Sequence, residues 1–290
     1  MVETTMTITS DEEGARYADR FMGLRRKELL TLALAAIIAN ALIYNVFLSI
    51  GINGIYYSVL NTFEVSVIIW VAIFIAFKFI WNIPDASITL ADRVASALVL
   101  LMCLAPLGPL TWVSASIFGA YLICTARTDI TSYQFKAGWI LLALTVPLFW
   151  GRRLFSAFAN FFLSLDSLLV AAVTQTERID NLVAMPNGGG YLQIAAPCSS
   201  MANVSLAILC WVIFTQTYSV RWKWRNIGWA GLACISVIAI NIARISLIGF
   251  FPAYFEILHG PIGQTVVSWA DVIVLYFICS YGVRHARAAA

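Results

Sequence analysis

The sequence predicts an all-α polytopic membrane protein, and three observations predict it. Hydrophobic residues make up 61% of the 290-residue chain and charged residues only 11%, against roughly 25% charged in a soluble domain. Mean hydropathy is +0.85. Apolar runs of about 20 residues recur, the length that crosses a bilayer as a helix, and the alternating pattern of an outer-membrane barrel is absent.

The elements follow in order. Residues 1–28 are polar and mixed in charge, with no signal-peptide apolar core and no small-residue cleavage site, so Leu29–Ile50 reads as a retained span. Further spans are expected at Val65–Trp81, Val94–Leu107, Leu110–Cys124, Ala137–Trp150, Ser199–Phe214, Ile227–Phe250 and Ile262–Tyr281, which makes about eight. The two beside "APLGPL" are short, at about 15 residues against a usual minimum near 17. No repeat or low-complexity segment stands out.

Lys and Arg set the expected orientation. Arg16, Arg20, Arg25, Arg26 and Lys27 place the N-terminus in the cytoplasm; Arg221, Lys223 and Arg225 mark a cytoplasmic loop; Arg284 and Arg287 keep the C-terminus inside. The start of the span after Cys198 and the loop holding His259 are then extracytoplasmic. The formal charge of +3 is placed for topology, not as a nucleic-acid footprint.

A ninth crossing at Arg152 to Val173 would put the C-terminus outside, so this segment is either a helix in the outer interface or a span with Val94–Cys124 as a single crossing. Phe155, Phe158, Phe162, Leu165 and Leu169 share one face at helical spacing, with Ser156, Asn160, Ser164 and Ser167 on the other. That pattern favours an interfacial amphipathic helix. In "NLVAMPNGGGYLQIA", the turn signal flanked by apolar runs predicts a small outer β-hairpin leading to Cys198.

Five of the six cysteines, Cys103, Cys124, Cys210, Cys234 and Cys279, lie in or at the ends of apolar helices and read as small hydrophobes. Cys198 differs. It stands in "APCSSM" after Pro197, at an expected helix start whose free N–H groups and dipole favour an anion. Arg244 is a basic residue well inside a span, about six residues from its outer end; it either faces a cavity or snorkels. Asn241 precedes it by one helical turn and could orient it or a substrate. His259, the only outer histidine, suits proton transfer to and from a thiol. Ser199, Ser200 and Asn203 flank Cys198 as substrate-orienting candidates. Asp271 is an intramembrane acid whose role stays open. Thiol, base and fixed positive charge at the outer ends of three consecutive spans are the roles that nucleophilic acyl transfer needs. No Cys/His cluster or cofactor motif is present, so neither metal nor cofactor is expected.

The order "APCSSM", then "NIAR", then "HGPIG" and a last span resembles the exosortase/archaeosortase family of membrane cysteine transpeptidases, over about Pro147 to Tyr281. The resemblance implies catalytic roles for Cys198, Arg244 and His259. It implies cleavage of a C-terminal sorting signal on membrane-anchored exported proteins through a thioester, and transfer to a surface-polysaccharide or lipid acceptor. One departure matters: the family's Cys-Ser-Gly is Cys198-Ser199-Ser200 here, and the missing glycine removes room for close backbone approach. The expected organisation is then a cytoplasmic tail at 1–28 and one transmembrane domain at 29–283, followed by a tail at 284–290. Within that domain the outer helix and hairpin occupy 152–197 and the active-site spans 198–283. The protein would lie in the inner membrane among its lipids. Two other readings remain: a small transporter or lipid-binding protein using Arg244 and Asp271, and a non-catalytic assembly subunit.

Overall fold

The computed structural model of the chain describes residues 23–105, 108–126, 129–221 and 223–288. Arg16 and Arg20 of the expected cytoplasmic tail, and Pro106 and Leu107 of "APLGPL", lie outside the described residues.

Six stretches are long and apolar enough to cross a membrane among the described residues: Arg26–Leu60, Gly108–Thr125, Tyr133–Ala157, Ala196–Thr217, Asn226–Phe250 and Pro261–Ala288. The chain is a multi-pass helical membrane protein. Two further expected spans fall on helices Val67–Trp81 and Leu90–Leu104, of 15 residues each. At 1.5 Å per residue each is about 22 Å long, shorter than a ~30 Å hydrocarbon core.

The chain divides into two compact units. One runs to Ser58 and includes Phe74–Leu141; the other holds Val59–Ile73 and everything from Leu142. The first contains most of α1 (Arg26–Leu60), the end of α2 (Val67–Trp81), α3 (Leu90–Leu104), α4 (Gly108–Thr125) and the start of α5 (Tyr133–Thr145). Leu30, Leu34 and Ile37 repeat at helical spacing along α1 and are fully buried. Gly54 breaks the helical geometry of α1 at φ 74°, ψ 163°, a conformation open to glycine. Helix α3 begins with a capping box: Thr89 Oγ1 accepts from Asp92 N at 3.1 Å and Asp92 Oδ2 accepts from Thr89 N at 2.9 Å. Asp92 also accepts from Arg26 Nε at 3.1 and 3.0 Å and from the Tyr121 hydroxyl at 2.6 Å. Burial works against its charge, but Arg26, Tyr121 and Thr89 together hold its carboxyl below the usual carboxylate range. This knot ties α1, α3 and α4 at one place.

In the second unit, a π-helical turn at Val146–Trp150 leads into α6 (Gly151–Ala157). Pro147 sits in that turn, where widened winding relieves the clash and missing N–H of a helical proline. Gly151 brings α6 against the helix that follows Cys198: a Cβ there would lie 2.6 Å from Ser205 Oγ. Phe158 then breaks the helix at φ −125°, ψ 28°, and α7 (Ala159–Thr174) begins. The segment read from sequence as one amphipathic helix over 152–173 is therefore two. Its Phe158 N–H is shared between the Leu154 and Phe155 carbonyls, which closes α6.

The segment read as a hairpin forms a three-stranded antiparallel sheet of β1 (Arg178–Ile179), β2 (Leu182–Ala184) and β3 (Tyr191–Gln193), in the order β1-β2-β3. Val183 pairs with Arg178 on one side and with Leu192 on the other. Three long helices follow: α8 (Met201–Thr217), α9 (Trp224–Phe250) and α11 (Pro261–Ala288), with a short α10 (Phe255–His259) between the last two. Helices α8, α9 and α11 pack pairwise, and α7 lies against α9 and the sheet.

Candidate active site

The site is built where the sheet hands the chain to α8. Val183 and Ile194 bury their side chains against Val170 and Ala171 of α7 and Ile242 and Ile245 of α9, and Cys198 packs on the edge of this cluster. Asn181 holds the exit of the sheet with two bonds: its carbonyl accepts from Ile194 N at 2.9 Å and its Nδ2 donates to the Ile194 carbonyl at 3.0 Å. The chain then makes a 3-10 turn, Ala196–Cys198, with Pro197 in it.

Cys198 ends that turn and does not head the helix. Helix α8 begins at Met201, with Ser200 as its N-cap and Ser199 extended between (φ −69°, ψ 140°). The backbone amides around the thiol are engaged in turn. Cys198 N donates to the Ala195 carbonyl at 2.9 Å and Ser199 N to the Ala196 carbonyl at 3.2 Å. Ser200 N donates to Asp166 Oδ2 at 3.0 Å, and Met201 N to Ser199 Oγ at 3.3 Å. The positive end of α8 thus already faces a carboxylate, and the helix-start argument for Cys198 loses its force.

Asn241 fastens the turn to α9. Its side chain is 2% exposed, and Nδ2 donates to the Cys198 carbonyl at 2.7 Å and to Ser200 Oγ at 3.1 Å. Both amide hydrogens are used, so the side chain is spent on holding the turn. Ser199 and Ser200 are buried, and both act within this scaffold. Asn203, on the first turn of α8, is partly buried.

Arg244 lies one helical turn beyond Asn241, toward the end of α9. Its Nε is buried without a hydrogen-bond partner, and so is Asp271 Oδ1 on the packed helix α11. No ion pair within 4.0 Å joins Arg244 to Asp271. Asn241 and Arg244 lie roughly 14 Å and 9 Å from the Phe250 end of α9, and Asp271 roughly 15 Å into α11 from Pro261. Because α11 leaves from the end at which α9 arrives, these residues occupy similar depths in the bundle.

His259 stands at that end, not at that depth. It closes α10, its ring stacks on Phe255 with centroids 5.0 Å apart, and its carbonyl accepts from Gln264 Nε2 at 3.0 Å. The turn between β2 and β3 reaches the same end, where Asn187 Nδ2 donates to the Phe250 carbonyl at 3.1 Å. No hydrogen bond among the described residues joins Cys198, Arg244 and His259. Nor do three His, Cys, Asp or Glu side chains among the described residues gather as a metal site.

Asp166 is the residue that sequence reasoning passed over. It sits in "FLSLDSLL" on the buried face of α7, with Ser167, Val170, Ala171 and Thr174. The signal was there: an acid within an apolar run, on the path to Cys198. Comparison of the chain with family models, with curated proteins and with solved structures finds no match.

Proposed function

We propose that the chain is an exosortase-like membrane cysteine transpeptidase or endopeptidase acting on membrane-anchored proteins with a C-terminal sorting signal. The observation that carries the reading is the surroundings of Cys198. The four amides from Cys198 to Met201 are all engaged, whereas Arg244, one turn beyond the asparagine that holds the Cys198 carbonyl, has a buried donor without a partner. An acyl-transfer site needs a donor where negative charge develops. Here Arg244 is the side chain suited to that role.

In the proposed reaction, the Cys198 thiolate attacks the scissile carbonyl carbon. The S–C bond forms, the oxyanion faces Arg244, and the C–N bond breaks to leave a thioester. His259 takes the proton of the Cys198 thiol and delivers it to the departing amine; an acceptor amine, hydroxyl or water then attacks the thioester, gives its proton to His259 and releases the Cys198 thiolate. Movement of the five-residue α10, flanked by the Pro252–Tyr254 turn and Gly260, would bring the imidazole inward. In this reading α2 and α3 also cross, for eight spans. Both termini face the cytoplasm of an inner membrane, the site opens on the outer side, and the acceptor is a lipid or surface polysaccharide.

The test is co-expression with membrane-anchored proteins of the same genome that end in a short shared motif, a span and a basic cluster. Cys198→Ala and Cys198→Ser should each abolish processing while the protein still inserts. Normal processing by either variant ends the reading. The buried Arg244 Nε and Asp271 Oδ1 also favour a second reading, a polar solute or headgroup site. Solute binding lost in Arg244→Ala but intact in Cys198→Ala would select it.

A further inference from the structure

We propose that Asp166 is a positioning residue for Cys198, a remote cap that couples α7 to the thiol-bearing turn. A helix N-terminus is ordinarily capped by its own N-cap side chain. Ser200 could serve, but its side chain caps nothing in α8; its hydroxyl accepts from Asn241 instead. The amide of Ser200 itself, which in a capping box a side chain at the third helical position would take, is satisfied from another helix by Asp166, which is 4% exposed. An acceptor oxygen buried to meet one amide of another helix ties the two helices together, and removing it leaves that amide unsatisfied.

The neighbouring residue extends the same logic. Ser167 Oγ donates to the Asp180 carbonyl at 2.7 Å, and Arg178 Nη1 donates to Ser164 Oγ at 3.0 Å, so α7 also grips the start of the sheet. Consecutive positions of α7 therefore fix both ends of the segment from Arg178 to Ser200. Asn241 holds the far side of the turn. Cys198 is held between α7 and α9, and Asp166 sets the α7 side.

The inference takes Cys198 as the reactive residue, as proposed above, but its readout does not depend on catalysis. Detergent-solubilised full-length protein is treated with iodoacetamide, and alkylation is followed peptide by peptide. Cys124, which is exposed and lies in the other unit, is the internal reference. Asp166→Ala removes the acceptor, and Cys198 should alkylate about tenfold faster while Cys124 is unchanged. Asp166→Asn keeps an acceptor oxygen and should stay within about twofold of wild type, a rescue that general loosening would not give. The proposal is overturned if Asp166→Ala leaves the Cys198 rate unchanged, if Cys198 and Cys124 accelerate together, or if Asp166→Asn matches Asp166→Ala. Cys198-independent processing would refute the proposed chemistry and leave this contrast standing.

Discussion

Asn241 offers the sharpest test of the scaffold, because two substitutions of different size should rank by hydrogen-bond polarity and not by the volume lost. Its Nδ2 donates to the Cys198 carbonyl at 2.7 Å and to Ser200 Oγ at 3.1 Å, in a side chain only 2% exposed. Asn241→Ala removes two neutral hydrogen bonds, about 1 kcal/mol each, and leaves a small cavity, so a loss of about 2–3 kcal/mol is expected. Asn241→Asp keeps the volume but sets an acceptor against the Cys198 carbonyl. Ionised, the new carboxylate is buried opposite a carbonyl, and only the Ser200 hydroxyl can turn to donate; protonated, it recovers one donor. The loss should therefore exceed that of the alanine variant at neutral pH, by about 1 kcal/mol or more, and shrink as the pH falls. Thermal unfolding of the detergent-solubilised variants between pH 5 and 8 measures both effects. An aspartate variant as stable as wild type at neutral pH, or one less affected than the alanine variant, would refute the reasoning.

Two further expectations follow from the same packing. Arg244→Lys keeps the charge but loses the planar guanidinium and its Nε donor, so processing of a tail-anchored substrate should fall about 100-fold with insertion unchanged; wild-type turnover would remove Arg244 from the oxyanion role. Asp92→Asn breaks a pair in which Asp92 is 0% and Arg26 13% exposed, at a cost of about 3 kcal/mol. Because the folded Asp92 carboxyl lies below its ordinary range, its stabilisation is present above about pH 4 and is lost as pH falls through the folded value. The asparagine variant should lack that acid limb, and melting curves that stay parallel on acidification would contradict it.

The long helices were legible because hydropathy over a bilayer-length window is insensitive to detail. Ile227–Phe250 and Ile262–Tyr281 fall inside the helical stretches Asn226–Phe250 and Pro261–Ala288, and Ser199–Phe214 does so from Met201 on, in α8. Backbone irregularities were less so. The π turn at Val146–Trp150 and the break at Phe158 leave the apolar pattern nearly intact, since each shifts the register by a residue or so. The serines of "APCSSM" were legible as polar company for a thiol, but not as parts of a scaffold, because Ser200 takes its partners from residues far away in sequence, Asp166 and Asn241.

The face of α7 carries the physical lesson. Periodicity separated an apolar side from a polar one, and in a soluble protein the apolar side would point inward. The structure divides the segment differently: Phe158 and Leu165 of the expected apolar face are exposed and Leu169 packs on the buried cluster, while of the expected polar face Ser156 and Asn160 are exposed and Ser167 is buried, next to Asp166. A bilayer removes the penalty for showing apolar surface and raises the penalty for an unsatisfied polar group. The two buried polar residues of α7 find partners in the protein: Asp166 accepts from Ser200 N and Ser167 donates to the Asp180 carbonyl. A buried polar side chain on a helix of a membrane protein therefore points to the partner it needs. On α7 Asp166 points to the backbone beside Cys198, which makes it the residue to change first when the thiol's placement is tested.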